Sequence, residues 1–304
     1  MATLSEQSFG PARAEKIARV LEIQAEAYGY LDLPILSQEL RGYSGGNVLD
    51  VGTGDGSFLC KIAEKNATLN FLGIEPSAEL FAKAASRLQK MRLPYVQLKH
   101  TAFDSGDEEK HEAILARFTL QHTRKPQEFV QNAYRLLKPG GGFFFIEPVY
   151  DYYDCASPQK IWQDFRARIL ATYERWQSHP NIPRQAGQWL SDCGFESISV
   201  SINLYSPITI GPERFAAVVL ATAAMLNFHH PDIWEASFLE QLESWLQKLD
   251  GDPFIAIAHI RASKPKRMSR TEQQSGIQVR LAAAEEASAI ASVLHQAFIE
   301  YESL

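Results

Sequence analysis

Residues 47–58 constrain this chain more than any other stretch. Val48, Leu49 and Val51 form a short apolar, mostly β-branched run, suited to a strand covered on both faces. Gly52, Gly54 and Gly56 follow, and Ser57 and Phe58 open a helical pattern. Glycines at these positions let the backbone turn tightly and let a ligand approach with no Cβ in the way. The helix behind them presents free N–H groups, an expected site for a polar or anionic group. A strand, a glycine turn and a helix in this order belong to a parallel α/β sheet whose ligand sits beyond the carboxyl ends of the strands.

Two nucleotide-type ligands use such a turn. A dinucleotide site wants G-x-G-x-x-G, whereas this turn reads G-x-G-x-G with Ser57 at the sixth position. Asp50, two residues before the first glycine, suits a positively charged ligand better than a pyrophosphate. Glu75 ends a second predicted strand about 20 residues beyond the turn, where an acid can bind both ribose hydroxyls. That feature fits both ligands.

Residues 48–56 resemble the first motif of the class I S-adenosylmethionine-dependent methyltransferases, and Glu75 resembles the second. The stretch from Leu115 to His122 with Pro126, and the run Leu136 to Gly142 ahead of a strand ending at Glu147, also resemble that family. Several motifs in order lower the chance that any one is accidental. The resemblance covers residues 1–262. It implies a doubly wound, Rossmann-like α/β fold with a seven-stranded sheet, an antiparallel last strand, and helical caps or insertions. It implies S-adenosyl-L-methionine as cofactor and methyl transfer to an O, N or C atom of a small molecule. Asp50, Gly52, Gly54 and Gly56 are expected at the methionine end of the cofactor and Glu75, with Pro76 after it, at the ribose. Arg117 is expected to hold the methionine carboxylate or an acid of the protein. Tyr28 or Tyr30, from an N-terminal helical region, is expected to reach the methionine end or simply to pack. The family places an acid or amide against adenine in the stretch 101–104; Ala102 aligns with it and Asp104 lies two residues later.

Strand and helix patterns alternate to residue 146, as a parallel sheet requires. His122 follows the fourth strand and is a candidate general base, or a structural residue beside the cofactor. Asp151 and Tyr152, in the acid- and phenol-rich stretch after Glu147, are candidates to orient or deprotonate an acceptor, or form a polar loop rim. Two cap segments are expected. One, at about 156–182, opens on Ser157 and Pro158 and repeats Ile161, Trp162, Phe165, Ile169, Tyr173 and Trp176 at helical spacing. The other, at about 207–250, separates the last two strands, too long for a tight loop. His229 and His230 within it lack a third ligand, so no metal site is expected.

Residues 263–276 are polar and basic and predict a linker. Residues 277–304 resemble the opening strand and helix of the GNAT acetyltransferases, without that family's pyrophosphate loop. They predict either part of a methyltransferase–acetyltransferase fusion or a terminal helix. A net charge of −6 gives no long-range attraction to nucleic acid or to an anionic membrane. Three scattered cysteines, no apolar run of membrane length and no signal-peptide pattern predict a cytoplasmic protein. Two other readings stay open: an NAD-type oxidoreductase, and a non-catalytic cofactor-binding domain of a larger protein.

Overall fold

The structure is a computed structural model that describes residues 10–103 and 109–266. Asp104, most of the expected linker and the 277–304 stretch lie outside the described residues. Strands and helices alternate as β1 (Asn47–Val51), α3 (Ser57–Lys65), β2 (Asn70–Glu75), α4 (Ala78–Met91), β3 (Val96–His100), β4 (His111–Arg117), α5 (Pro126–Leu136) and β5 (Leu137–Pro148). Two helices, α1 (Pro11–Ala27) and α2 (Gly29–Leu40), precede them. After β5 come β6 (Asp154–Cys155), α6 (Lys160–Trp176), α7 (Pro183–Asp192), β7 (Glu196–Tyr205), α8 (Pro207–Ile210), α9 (Pro212–His229), α10 (Ala236–Leu246) and β8 (Pro253–Ser263).

The sheet runs β3-β2-β1-β4-β5-β8, with β7 paired to the other side of β8. The first five strands are parallel. β8 is antiparallel to both β5 and β7, so the last strand is inserted against the direction of its neighbours. The two residues of β6 pair with the start of β8 and bring the strand count to eight. β1 and β4 are buried on both faces, which is why their sequences are nearly continuous apolar runs.

Local chemistry sets the helix starts. Ser77 caps α4 by accepting from the Leu80 N–H at 3.3 Å. Prolines open α5, α7 and α9 at positions where a missing N–H costs nothing. Ser157 does not cap α6 as its sequence suggested. The N–H groups of Ala156 and Ser157 bond to the carbonyls of Asp252 and Gly251, which holds the chain extended to Gln159. Residues Lys138 to Gly142, expected ahead of the strand, likewise belong to β5, where Gly140 and Gly141 exchange backbone bonds with Lys264.

Two covers form over the carboxyl ends of the parallel strands. α1 packs on α9 and α4, and Ala14 and Ala18 meet Leu80 there. α6 packs on α10 through a stack of Trp162 with Phe165, Phe215 and Trp245. Thus the stripe on α6 and the insertion between β7 and β8 build one apolar body. Among the described residues no helix is long and apolar enough to cross a membrane.

Candidate active site

The glycine turn is bound to the neighbouring strand. The N–H groups of Gly52 and Thr53 both donate to the Ile74 carbonyl at 3.0 Å. Glu75, at the end of β2, accepts from Gly54 N–H at 2.8 Å with Oε2 and from Ser77 N–H at 2.9 Å with Oε1. Burial raises its pKa above the usual carboxylate value, against these two backbone donors. Each oxygen keeps a lone pair beyond these bonds.

Gly52 and Gly54 line a large cavity and have φ of +74° and +61°. A Cβ on Gly52 would lie 2.7 Å from Thr119 Oγ1, and one on Gly54 would lie 2.7 Å from Leu21 Cδ1 of α1. Gly54→Ala is therefore expected to push the Leu21 side chain aside and to add about 1–2 kcal/mol of left-handed backbone strain. Calorimetry should show weaker cofactor binding than in the parent, and unchanged binding would count against a close approach of the cofactor to Gly54.

Gly56 and Asp50 stand elsewhere than expected. Gly56 begins α3 and faces Ala84 of α4, where a Cβ would come within 3.1 Å of its Cα, so it allows helix packing. Asp50 is buried behind the turn, with Thr53 Oγ1 donating to it at 2.7 Å, and burial raises its pKa to about 6. Neither lines the cavity. The start of α3 is also taken: Asp55 accepts from the Ser57 N–H and pairs with Arg87 at 2.8 Å. The protein's own carboxylate thus occupies the place expected for a ligand anion.

The cavity has a volume of about 620 Å³, the size of sites that enclose a small organic ligand. One end is lined by Gly52, Gly54, Glu75, Pro76, Ala102 and Phe103, with Tyr28 and residues of α1 above them. Tyr28 is buried and meets Phe118 and Tyr205 edge to face, while Tyr30 is exposed. Arg117 lines the cavity but is held from behind. Its Nε donates to Asp32 at 2.8 Å and its Nη2 to the Gln24 carbonyl at 3.2 Å. Asp32 is fully buried in α2, accepts from the Tyr205 hydroxyl, and lies 3.1 Å from His259 Nε2. Burial drives its pKa upward, but Arg117, His259 and Tyr205 together hold it below the ordinary value. Phe118 takes φ +52°, an uncommon left-handed geometry that turns the chain from β4 across the cavity.

Glu147 anchors that turn. It is fully buried and accepts from the N–H groups of Thr119 and Leu120 at 2.9 and 2.7 Å. Burial pushes its pKa up to about 8 against these donors. A carboxyl raised in the folded state stabilises most below its unfolded value near 4.3, and that contribution is lost as pH rises toward the folded value. Relative to Glu147→Gln, the parent should therefore lose unfolding free energy steadily from about pH 4 to about pH 8. Denaturant titrations over that range test it, and a difference independent of pH contradicts it.

The far end of the cavity corrects the expectation for the phenol-rich stretch. Tyr150–Tyr152 forms a single 3₁₀ turn, and in that geometry residues three apart share a face. Tyr150 and Tyr153 consequently point inward and line the cavity. Tyr152 is 51% exposed, and Asp151 pairs with Arg184 at 2.5 Å. Asp151 and Tyr152 stand outside the cavity, where they cannot act on an enclosed acceptor. His122 does line it, its ring stacked on Tyr173 at 5.8 Å, and its Nδ1 is buried without a hydrogen-bond partner among the described residues. Burial lowers its pKa to about 4, so the ring is neutral near pH 7 and a weak base. Phe165, Ile169, Tyr173 and Trp176 of α6 form the opposite wall.

Sequence comparisons agree with this architecture. Residues 49–143 match the family described as a methyltransferase domain. A 115-residue stretch is 28% identical to a ubiquinone biosynthesis O-methyltransferase of Alkalilimnicola ehrlichii, covering 38% of this chain and 47% of that protein. The matched stretch thus spans about half the length of such relatives. Among solved structures, the chain is similar to a Haemonchus contortus phosphoethanolamine N-methyltransferase in complex with phosphomonomethylethanolamine and S-adenosylhomocysteine. The TM-score is 0.51 at 16% identity, over 76% of this chain and 53% of that one. It is equally similar to the [4+2]-cyclase SpnF, with a TM-score of 0.51 at 20% identity over 76% and 81% of the two chains. The chain has an α/β Rossmann-like fold like that of these structures, and its match to the methyltransferase-domain model spans residues 49–143.

Proposed function

We propose that this chain transfers the methyl group of S-adenosyl-L-methionine to an O, N or C atom of a small-molecule acceptor. The observation that carries this reading is Glu75, bonded to the Gly54 N–H and opening onto a cavity that runs from the glycine turn to an apolar enclosure. Its spare lone pairs suit two adjacent hydroxyls. Gly52 and Gly54 leave room for the backbone-facing part of the ligand. Arg117, already bonded to Asp32, offers positive charge to a carboxylate, and Tyr28 closes the site from the junction of α1 and α2. Pro76, Ala102 and Phe103 supply an apolar slot for a base. Bound there, the cofactor supplies a methyl group made electrophilic by a neighbouring sulfonium.

The protein's part is to align the acceptor with that methyl and to exclude water, so proximity supplies much of the rate. His122 lines the cavity beside Tyr173, and a turn of its ring would aim a neutral nitrogen at a hydroxyl or amine of the acceptor, to orient it and take its proton as the new bond forms. The ubiquinone-pathway relatives are named as O-methyltransferases, which makes oxygen the first acceptor atom to examine. The three cysteines are unpaired, as suits the cytoplasm. Tritium transfer from methyl-labelled S-adenosylmethionine to a panel of small hydroxylated, amino and enolic acceptors tests the reading. Label in an organic-extractable product is expected, and its loss in His122→Ala with cofactor binding retained would place His122 in the acceptor step. Cofactor binding with no transfer to any class would favour the non-catalytic domain instead.

A further inference from the structure

The end of the cavity beneath α6 carries a cluster of hydrogen-bonded oxygens beside apolar wall residues. Tyr150 and Tyr173 place their hydroxyls 2.8 Å apart, and both approach Gln121 Oε1, at 3.2 and 2.8 Å. All three side chains are at least nine-tenths buried and line the cavity. The two phenols have two protons to serve three oxygen–oxygen contacts, and the amide oxygen has none. Both protons are used within the cluster, so toward the cavity the phenol oxygens have lone pairs to offer and no spare donor.

The surroundings select against charge. Burial raises the pKa of both phenols, so they stay protonated. His122 and His229, which also line the cavity, are both lowered to about 4, mainly by burial, and are neutral. The charged lining residues at the start of α5 are exposed, and Lys125 pairs with Glu128 at 2.5 Å. Arg117, which also lines the cavity, is already paired with Asp32, so an ion moved to the phenols would lose its water with no unpaired opposite charge to replace it. Phe165, Ile169 and Trp176 offer flat or apolar surface instead.

We propose that the acceptor is an uncharged, planar, largely apolar molecule whose hydroxyl donates a hydrogen bond to the Tyr150–Tyr173 pair, making these two tyrosines determinants of specificity. The proposal rests on the methyltransferase reading only for which end of the cavity receives the acceptor.

The probes are naphthol, naphthalene, naphthoate and naphthylmethylammonium, measured by equilibrium dialysis against the full chain, with and without saturating S-adenosylhomocysteine. Naphthol is expected to bind at least about tenfold tighter than either ion, since each ion loses hydration without a partner. Tyr150→Phe and Tyr173→Phe keep the rings and remove the oxygens. Each should weaken naphthol roughly two- to tenfold, the worth of one net hydrogen bond, and leave naphthalene unchanged. Tighter binding of naphthoate or of the ammonium probe overturns the proposal, the latter in favour of a cation held by the aromatic wall. Equal losses for naphthol and naphthalene in the variants overturn it too, because they report wall damage. Calorimetry with S-adenosylhomocysteine on the same samples separates the two levels. If it binds and naphthol does not, this inference fails alone; if it does not bind to a folded chain, the methyltransferase reading fails.

Discussion

Asp32→Ala is expected to destabilise the chain by about 3–5 kcal/mol, the cost of stranding a buried charge. Asp32 is fully buried and answers Arg117, which is itself 9% exposed at the side chain. It also receives the Tyr205 hydroxyl and faces His259. These partners come from β4, β7 and β8, so the carboxylate, itself on α2, ties the N-terminal cover to the sheet's last two strands. With Asp32 gone, the guanidinium either stays buried without a counter-ion or swings into the cavity. Either outcome should weaken cofactor binding as well as folding. The loss has a pH signature. A carboxyl held below its unfolded value of about 3.9 stabilises above that pH, and its contribution disappears as pH falls through the folded value. The gap in stability between parent and variant should therefore be full at neutral pH and shrink in acid below about pH 4. Urea titrations at several pH values measure it, and a gap that widens in acid would contradict the ion-pair account.

Glu75→Ala is expected to weaken binding of S-adenosylmethionine by roughly 10- to 150-fold, the worth of about 1.5–3 kcal/mol for a charge-assisted hydrogen bond. The same change removes the acceptor for the Gly54 and Ser77 N–H groups. Each unpaired buried donor costs about 1–3 kcal/mol, so Tm should fall with affinity. Glu75→Gln separates the two effects. The amide oxygen can keep one of the two N–H partners, which recovers part of the stability, but a neutral amide does not restore the charged acceptor for the ribose. Affinity is therefore expected to stay low in Glu75→Gln while Tm partly returns. Normal cofactor affinity in Glu75→Ala would remove Glu75 from the site.

The parts of this architecture set by local pattern were legible in the sequence. The β1 run, the glycine turn, Glu75 and the helix–strand alternation up to β5 follow from apolar periodicity and turn chemistry within short windows. Parts that depend on residues meeting across the chain were not. Asp32 looks like an ordinary polar residue of an amphipathic helix, and Tyr205 and His259 sit in strands far along the chain; nothing local joins them. Gly56 shows the same limit, because a glycine that admits a ligand and one that admits Ala84 look alike in sequence. Asp55 filling the start of α3 was legible in principle, as an acid two residues before a serine at a helix start. Tyr150 and Tyr153 cannot be told from Tyr152 in sequence, because a 3₁₀ turn shows no period of its own in three residues. Once the turn is known, the spacing of three picks out the inward pair.

The measurement closest to the central claim is calorimetric titration of the purified chain with S-adenosylmethionine, S-adenosylhomocysteine and NAD in parallel. Saturable binding of the first two and none of NAD is the predicted result, with affinity falling in Glu75→Ala. Binding of NAD alone to the folded chain would contradict the assignment and return the glycine turn to the dinucleotide reading.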